Sequence, residues 1–208
     1  MPKEYELKYK NYKKDEVINK LLKLGAKQIH KPIIYEYTVF KHPLDKPETY
    51  IRLRKEYQNI TFTYKENMNN KFVDEYEINV SDYDTTLNIL TMLGFKKKYF
   101  IQKLREKWKL DNCKEIVFDT YPGAIEYMEI ECDNEENIHK IANQLNLQKE
   151  KKFTIRDIYK ELYDLKDSKQ EGLSFSTVKE VIGKNIRKNK KLFKKILKIQ
   201  KKLINSFI

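Results

Sequence analysis

The chain has 208 residues, is 40% hydrophobic and 36% charged, and carries a formal net charge of +12 at pH 7. That length and balance suit one globular core with an appendage, and 5 Gly and 5 Pro exclude a low-complexity chain. No apolar run approaches the roughly 18 residues of a membrane-spanning helix, and the opening MPKEYELKYK lacks the apolar centre of a secretion signal, so a cytoplasmic protein is expected.

The first predicted strand, 3–9, contains "EYELK". Alternate residues of a strand share a face, so Glu4, Glu6 and Lys8 lie on one side and Tyr5 and Leu7 on the other. A helix is predicted from Asp15 to about Leu24, with Val17, Leu21 and Leu24 at helical spacing and Gly25 as its stop. Strands follow at 33–41, 49–56, 59–66 and 72–80, rich in Tyr, Phe, Ile and Val. In them Arg52 and Arg54 flank Leu53, Lys65 ends "TFTYK", and Glu75 and Glu77 flank Tyr76. A second helix, 82–93, stops at Gly94. Strands at 98–109, 114–120 and 125–132 carry Lys103, Arg105 and Lys107 in alternation, then Asp119, then Glu129 and Glu131 around Ile130. A third helix, 134–145, presents Ile138, Ile141 and Leu145 on one side. His30, His42 and His139 fall outside these patterns. Cys113 and Cys132 have no metal-type spacing, so they are expected to be ordinary small residues in a reducing compartment, without structural zinc.

The chain repeats a device: "EYELK", "EYEIN" and "MEIEC" each place two carboxylates on alternate positions of a strand that leads into a helix. Antiparallel strands with one apolar and one charged face admit two architectures. Either the charged face meets water, or the strands close into a barrel with a charged interior and helices outside. A closed charged interior is costly unless the charges pair with one another or with a ligand.

The segment 166–208 holds 13 of the 43 Lys and Arg but 3 of the 31 Asp and Glu. After Lys166 comes "DSKQEGLSFS", read as a linker, and Thr177 with Glu180 forms a capping-box pattern. Val178, Ile182, Ile186, Phe193, Ile196, Leu197, Leu203 and Ile204 make a ragged apolar stripe on a lysine-rich helix, interrupted near Gly183. The expected arrangement is a helix packed on the body with its lysines in water; a nucleic-acid contact, a membrane-surface contact or a homodimer arm are the rivals. The expected organisation is a body, 1–165, and a linker with an amphipathic C-terminal helix, 166–208.

The motif "EYELK" resembles the E-x-E-x-K signature of the CYTH superfamily of triphosphate tunnel metalloenzymes. It is followed, in that family's order and spacing, by "YIRLR", "TFTYKE", "DEYEI", "QKLREKW", "VFDTYPG" and "YMEIE", so the resemblance covers about residues 1–163. It implies an α+β fold, an eight-stranded antiparallel β-barrel, or tunnel, with helices packed outside and the basic helical tail as an extension. It also implies a divalent-metal-dependent enzyme, with Mg²⁺ or Mn²⁺, acting on a nucleoside triphosphate, tripolyphosphate or thiamine triphosphate. The reaction would be hydrolysis or the cyclisation run by class IV adenylate cyclases. Carried over by motif, Glu4, Glu6, Asp119, Glu129 and Glu131 would hold the metal, and Lys8, Arg52, Arg54, Lys65, Lys103 and Arg105 the phosphates. Glu4, Glu6, Lys8, Glu129 and Glu131 would act in catalysis. Glu75 and Glu77 match a second acidic pair, and Lys151 or Lys152 match loosely a lysine near the end of the family's domain. The chemistry is coherent: Arg offers paired donors to phosphate oxygens, and a hard cation prefers carboxylate and phosphate oxygens. The alternative is a non-catalytic polyphosphate or nucleic-acid binder, which would gain nothing from so many carboxylates.

Overall fold

The structure is a computed structural model that describes residues 3–66, 73–148, 150–165 and 173–206, and of residues 3 and 4 the backbone alone. The fold is α+β. Eight antiparallel strands are described: β1 (Lys3–Tyr9), β2 (Lys27–Lys41), β3 (Tyr50–Lys55), β4 (Ile60–Glu66), β5 (Val73–Val80), β6 (Lys96–Leu110), β7 (Cys113–Thr120) and β8 (Tyr127–Cys132). Their hydrogen-bonded order is β1-β5-β4-β3-β2-β6-β7-β8, and it closes on itself as a barrel, because β1 pairs with β5 at Glu4↔Val73 and with β8 at Glu6↔Glu131. β2 and β6, each 15 residues long, begin earlier than their apolar patterns indicate, because the mainly polar 27–32 and the two lysines 96–97 extend them. No helix among the described residues is long and apolar enough to cross a membrane.

The chain divides into two compact units, one comprising Met1–Glu4, Ile34–Lys103 and Lys169–Lys184, the other Tyr5–Ile33, Leu104–Ser168 and Asn185–Ile208. In the first, helix α2 (Tyr83–Met92) lays Leu90 and Leu87 on Ile51, Leu53 and Phe40. In the second, α1 (Lys14–Lys23) and α3 (Glu135–Gln144) pack Val17, Leu21, Ile138 and Ile141 on Ile116, Phe118, Met128 and Ile130. The apolar alternates of the strands thus lie under helices, which commits the charged alternates to the other face. The three helices end alike. Gly25 (φ 85°), Gly94 (φ 88°) and Asn146 (φ 58°) adopt the left-handed conformation, and the next amide bonds back to Leu21, Leu90 and Ala142, the Schellman closure.

Helix α4 (Ile155–Tyr163) was not marked by the apolar spacing; its start is a capping box in which Thr154 Oγ1 and Asp157 exchange hydrogen bonds. Thr154, through its hydroxyl and its amide, holds the Asp157 carboxyl below the usual aspartate value. Thr154→Ala should therefore cost about 1 kcal/mol. Because the carboxyl is lowered in the native state, the part of that contribution made through the Asp157 carboxylate is present above the unfolded value, about pH 4, and is lost as pH falls through the lower native value, while the bond from Asp157 N to Thr154 Oγ1 does not titrate. Urea melts of both proteins at neutral and acid pH check this: their difference should shrink in acid.

The capping expectation for the tail is corrected. Thr177 makes no capping bond to α5 (Val178–Val181); its hydroxyl accepts from Ser174 N, and Ser174 Oγ accepts from Thr177 N, so Ser174 takes the capping role. Of the segment read as a linker, 167–172 lie outside the described residues, while Leu173 is fully buried and forms a parallel bridge with Ile101. Beyond a 3₁₀ turn at Gly183–Asn185 runs α6 (Lys190–Asn205), with Phe193, Ile196 and Gln200 buried and its lysines exposed. Cys113 and Cys132 are not two free thiols: they form a disulfide joining β7 to β8.

Candidate active site

The second unit gathers carboxylates from three adjacent strands. β1, β8 and β7 pair so that Lys8 faces Glu129, Glu6 faces Glu131, and Glu115 faces Glu131. Lys8 Nζ donates to Glu6 Oε1 at 2.5 Å and lies 3.1 Å from Glu129 Oε1. Arg105, from β6, is 3% exposed. Its Nε and Nη2 donate to Asp119 Oδ1 and Oδ2 at 2.7 and 2.6 Å. The same guanidinium reaches Glu129 Oε2 at 3.0 Å and Glu115 Oε1 at 2.8 Å. Lys107 pairs with Glu115 at 2.6 Å and Lys114 with Glu131 at 3.0 Å. Burial opposes the charge on Lys8, but Glu129 and Glu6 outweigh it and hold its pKa well above the lysine value. Burial likewise opposes Arg105, and Asp119, Glu115 and Glu129 more than offset it. Both bases stay cationic, and the carboxylates are aligned by internal cations.

The Glu6–Lys8–Glu129 bridge shows what this corner accepts: a positive charge between two carboxylates. Among the described residues no three His, Cys, Asp or Glu side chains form a ready cation cage. Mg²⁺ does not require one, since it commonly binds through one or two carboxylates and completes its shell with water and phosphate oxygens. The oxygen donors present fit such an ion.

The first unit presents guanidinium groups. Arg52 and Arg54 point to the same face of β3, opposite the buried Ile51 and Leu53. Nη2 of each lies 3.4 Å from Glu77 Oε2, which also accepts from Thr63 Oγ1 at 2.7 Å. Arg54 pairs with Glu56, which accepts from Thr61 Oγ1 at 3.0 Å. The Arg54 guanidinium stands 5.7 Å from the Tyr35 ring centre. Arg54 Nε is buried with no acceptor among the described residues. A buried donor in that state costs free energy. Lys65 lies 3.4 Å from Glu75, and Lys103 is 4% exposed on the face of β6 that bears Arg105.

The structure therefore brings together Glu6, Lys8, Arg105, Asp119, Glu129 and Glu131 in one cluster, and Arg52, Arg54 and Glu77 in another, with the Lys65–Glu75 pair on the neighbouring strands. The Glu4 side chain lies outside what is described. Lys151 and Lys152 are exposed on the segment before α4. Glu115, Lys107, Lys114 and Glu56 belong to these clusters but were not singled out as site residues. Glu115 shares strand parity with Asp119, and that is the signal that could have found it.

The CYTH domain model matches residues 2–162. A protein of Methanocaldococcus jannaschii that bears a provisional adenylate cyclase name is 30% identical over 178 residues, covering 78% of this chain and 99% of its own. Among solved structures, the PH1012 protein of Pyrococcus horikoshii is 28% identical with a TM-score of 0.58, covering 74% of this chain and 98% of that one. A Vibrio parahaemolyticus protein, also provisionally named an adenylate cyclase, has a TM-score of 0.64 at 16% identity, over 74% of this chain and 96% of its own; it supports the fold alone.

Proposed function

The chain belongs to the CYTH domain family, and from that membership we propose that it is a divalent-metal-dependent enzyme acting on a triphosphate. The observation that carries the reading is the Glu6–Lys8–Glu129 bridge, a cation held between carboxylates that a metal ion would also satisfy. Glu129, Glu131 and Glu6, with Asp119 and Glu4, would hold Mg²⁺ or Mn²⁺; the bound ion would withdraw charge from a phosphoryl oxygen. Arg105 orients Asp119, Glu115 and Glu129 through its hydrogen bonds to all three. Arg52, Arg54, Lys65 and Lys103 bind phosphate oxygens, and Arg54 Nε gains an acceptor when they do. Lys8, released from Glu129 as external charge arrives, donates to a phosphate oxygen. The carboxylates argue against a plain polyanion binder, because without a cation they would repel the ligand they face.

Two reactions share this apparatus. In hydrolysis, water attacks the terminal phosphorus and phosphate leaves. In cyclisation, the ribose 3′-hydroxyl attacks the α-phosphorus and pyrophosphate leaves; the adenylate cyclase name of the Methanocaldococcus jannaschii relative favours testing it. Incubation with ATP, tripolyphosphate and thiamine triphosphate, with Mg²⁺ or Mn²⁺, resolves the two through the products phosphate, pyrophosphate and cyclic AMP. Product that forms with metal and stops with a chelator is expected. Intact substrates in every metal-containing sample would overturn the reading.

Arg54→Ala should raise KM for the triphosphate about 10- to 100-fold, equivalent to losing about 1.5–3 kcal/mol from a charge-assisted contact, with a smaller effect on kcat. Steady-state kinetics at saturating metal measure this. An unchanged KM would remove Arg54 from the phosphate site.

A further inference from the structure

The connection between β7 and β8 is a buried turn. Tyr121, Pro122, Gly123 and Ala124 are all buried, and Gly123 has φ 75°. A buried stretch outside any ladder must find partners for its backbone polar groups, and here side chains supply them. Gln200 Nε2 donates to Tyr121 O at 3.0 Å and to Ala124 O at 3.1 Å, while Gln200 Oε1 accepts from Gly123 N at 2.8 Å. Tyr159 Oη donates to Pro122 O at 2.8 Å, and Tyr163 Oη to Gly123 O at 2.5 Å. Every carbonyl of the turn is thus capped from α4 or α6. Gln200 is 4% exposed on a helix otherwise rich in exposed lysines, and α6 lies beyond the matched span, which ends at residue 162.

The turn joins the two strands that carry the carboxylates. Asp119 precedes it by two residues, and its register partner is Tyr127, two residues before Glu129. We infer that Gln200 is a positioning residue, which by locking this turn from α6 fixes where β7 presents Asp119 and β8 presents Glu129. The inference rests on the metal-site reading above. It makes the C-terminal helix a working part of the carboxylate cluster rather than an appendage. Gln200 suits the task because one amide supplies both the donors and the acceptor; a methionine of similar length supplies neither donor.

The experiment compares full-length wild type, Gln200→Met and Tyr163→Phe, the last removing only the hydroxyl on Gly123 O. Ile138→Val on α3 serves as a stability control that does not touch the turn. Calorimetric titration with Mn²⁺ should show at least fivefold weaker binding in Gln200→Met, a smaller loss in Tyr163→Phe, and none in Ile138→Val. Wild-type Mn²⁺ affinity in folded Gln200→Met would overturn the inference. Loss in all three variants in proportion to their melting temperatures would overturn it too, since that marks a merely structural role. Should Gln200→Met not fold, Tyr163→Phe alone decides by the same criterion. If wild type itself binds no Mn²⁺, the metal reading fails first. Amide exchange then judges the clamp: faster exchange in Gln200→Met at Asp119 and Glu129, with α3 unchanged, supports it, and unchanged exchange there overturns it.

Discussion

Glu129→Gln should lower turnover about 100- to 1000-fold, the range seen when one preorganised electrostatic group is removed from a reacting centre. The substitution keeps the shape of the side chain and removes its charge. Glu129 sits at the crossing of both internal cations, 3.1 Å from Lys8 Nζ and 3.0 Å from Arg105 Nη2, so it is the carboxylate through which Glu6, Lys8, Arg105 and Asp119 are connected. The amide should also raise the Mn²⁺ concentration needed for half-maximal activity by about tenfold or more, the scale reported for groups that support a metal site. KM for the triphosphate at saturating metal should move far less. Rates measured across a metal titration separate these outcomes. Wild-type turnover at low metal would take Glu129 out of the site.

Asp119→Ala should be the most destabilising single change in the cluster, by about 3–5 kcal/mol. Asp119 is fully buried and receives two hydrogen bonds from a guanidinium that is itself buried. Removing the carboxylate leaves the Arg105 charge out of water with its bidentate partner gone. Glu115 and Glu129 remain within reach of that guanidinium, which favours the lower end of the range. For a chain of this length the melting temperature should fall by roughly 6–20 °C. Asp119→Asn, which keeps an acceptor oxygen, should lose about half as much. Urea unfolding at neutral pH checks both, and equal losses in the two variants would show that packing, not charge, sets the cost.

The period-two alternation of the strands made most of the candidate site legible. Glu6 with Lys8, Arg52 with Arg54 and Glu129 with Glu131 could be placed on common faces because apolar residues between them needed the other face. The closing of the sheet was legible only through the family resemblance, since a solvated charged face has the same alternation. What stayed hidden depends on long-range partners. Gln200 is a lone amide in a lysine-rich helix, and nothing local marks it as the cap of a turn 77 positions away. The Cys113–Cys132 disulfide spans 19 positions without a spacing that distinguishes it from two buried thiols. Helix α4 follows a basic run, and its capping box uses Asp157 where the commoner pattern has Glu or Gln. The Thr177–Glu180 pattern was satisfied by sequence but overridden, because Ser174 is held by the same hydroxyl.

If these carboxylates form a divalent-cation site serving a triphosphate, metal should stabilise the fold. Thermal melting reads this. The clustered carboxylates repel one another, Lys8 and Arg105 offset part of that, and a ligand bound only by the native state adds stability that grows with its concentration. The melting temperature should therefore climb with Mg²⁺ or Mn²⁺, and climb further with metal plus tripolyphosphate. Na⁺ at matched ionic strength is the reference, since salt alone screens repulsion. Melting temperatures in metal, with or without tripolyphosphate, that equal the Na⁺ reference would show that the carboxylates hold no divalent cation.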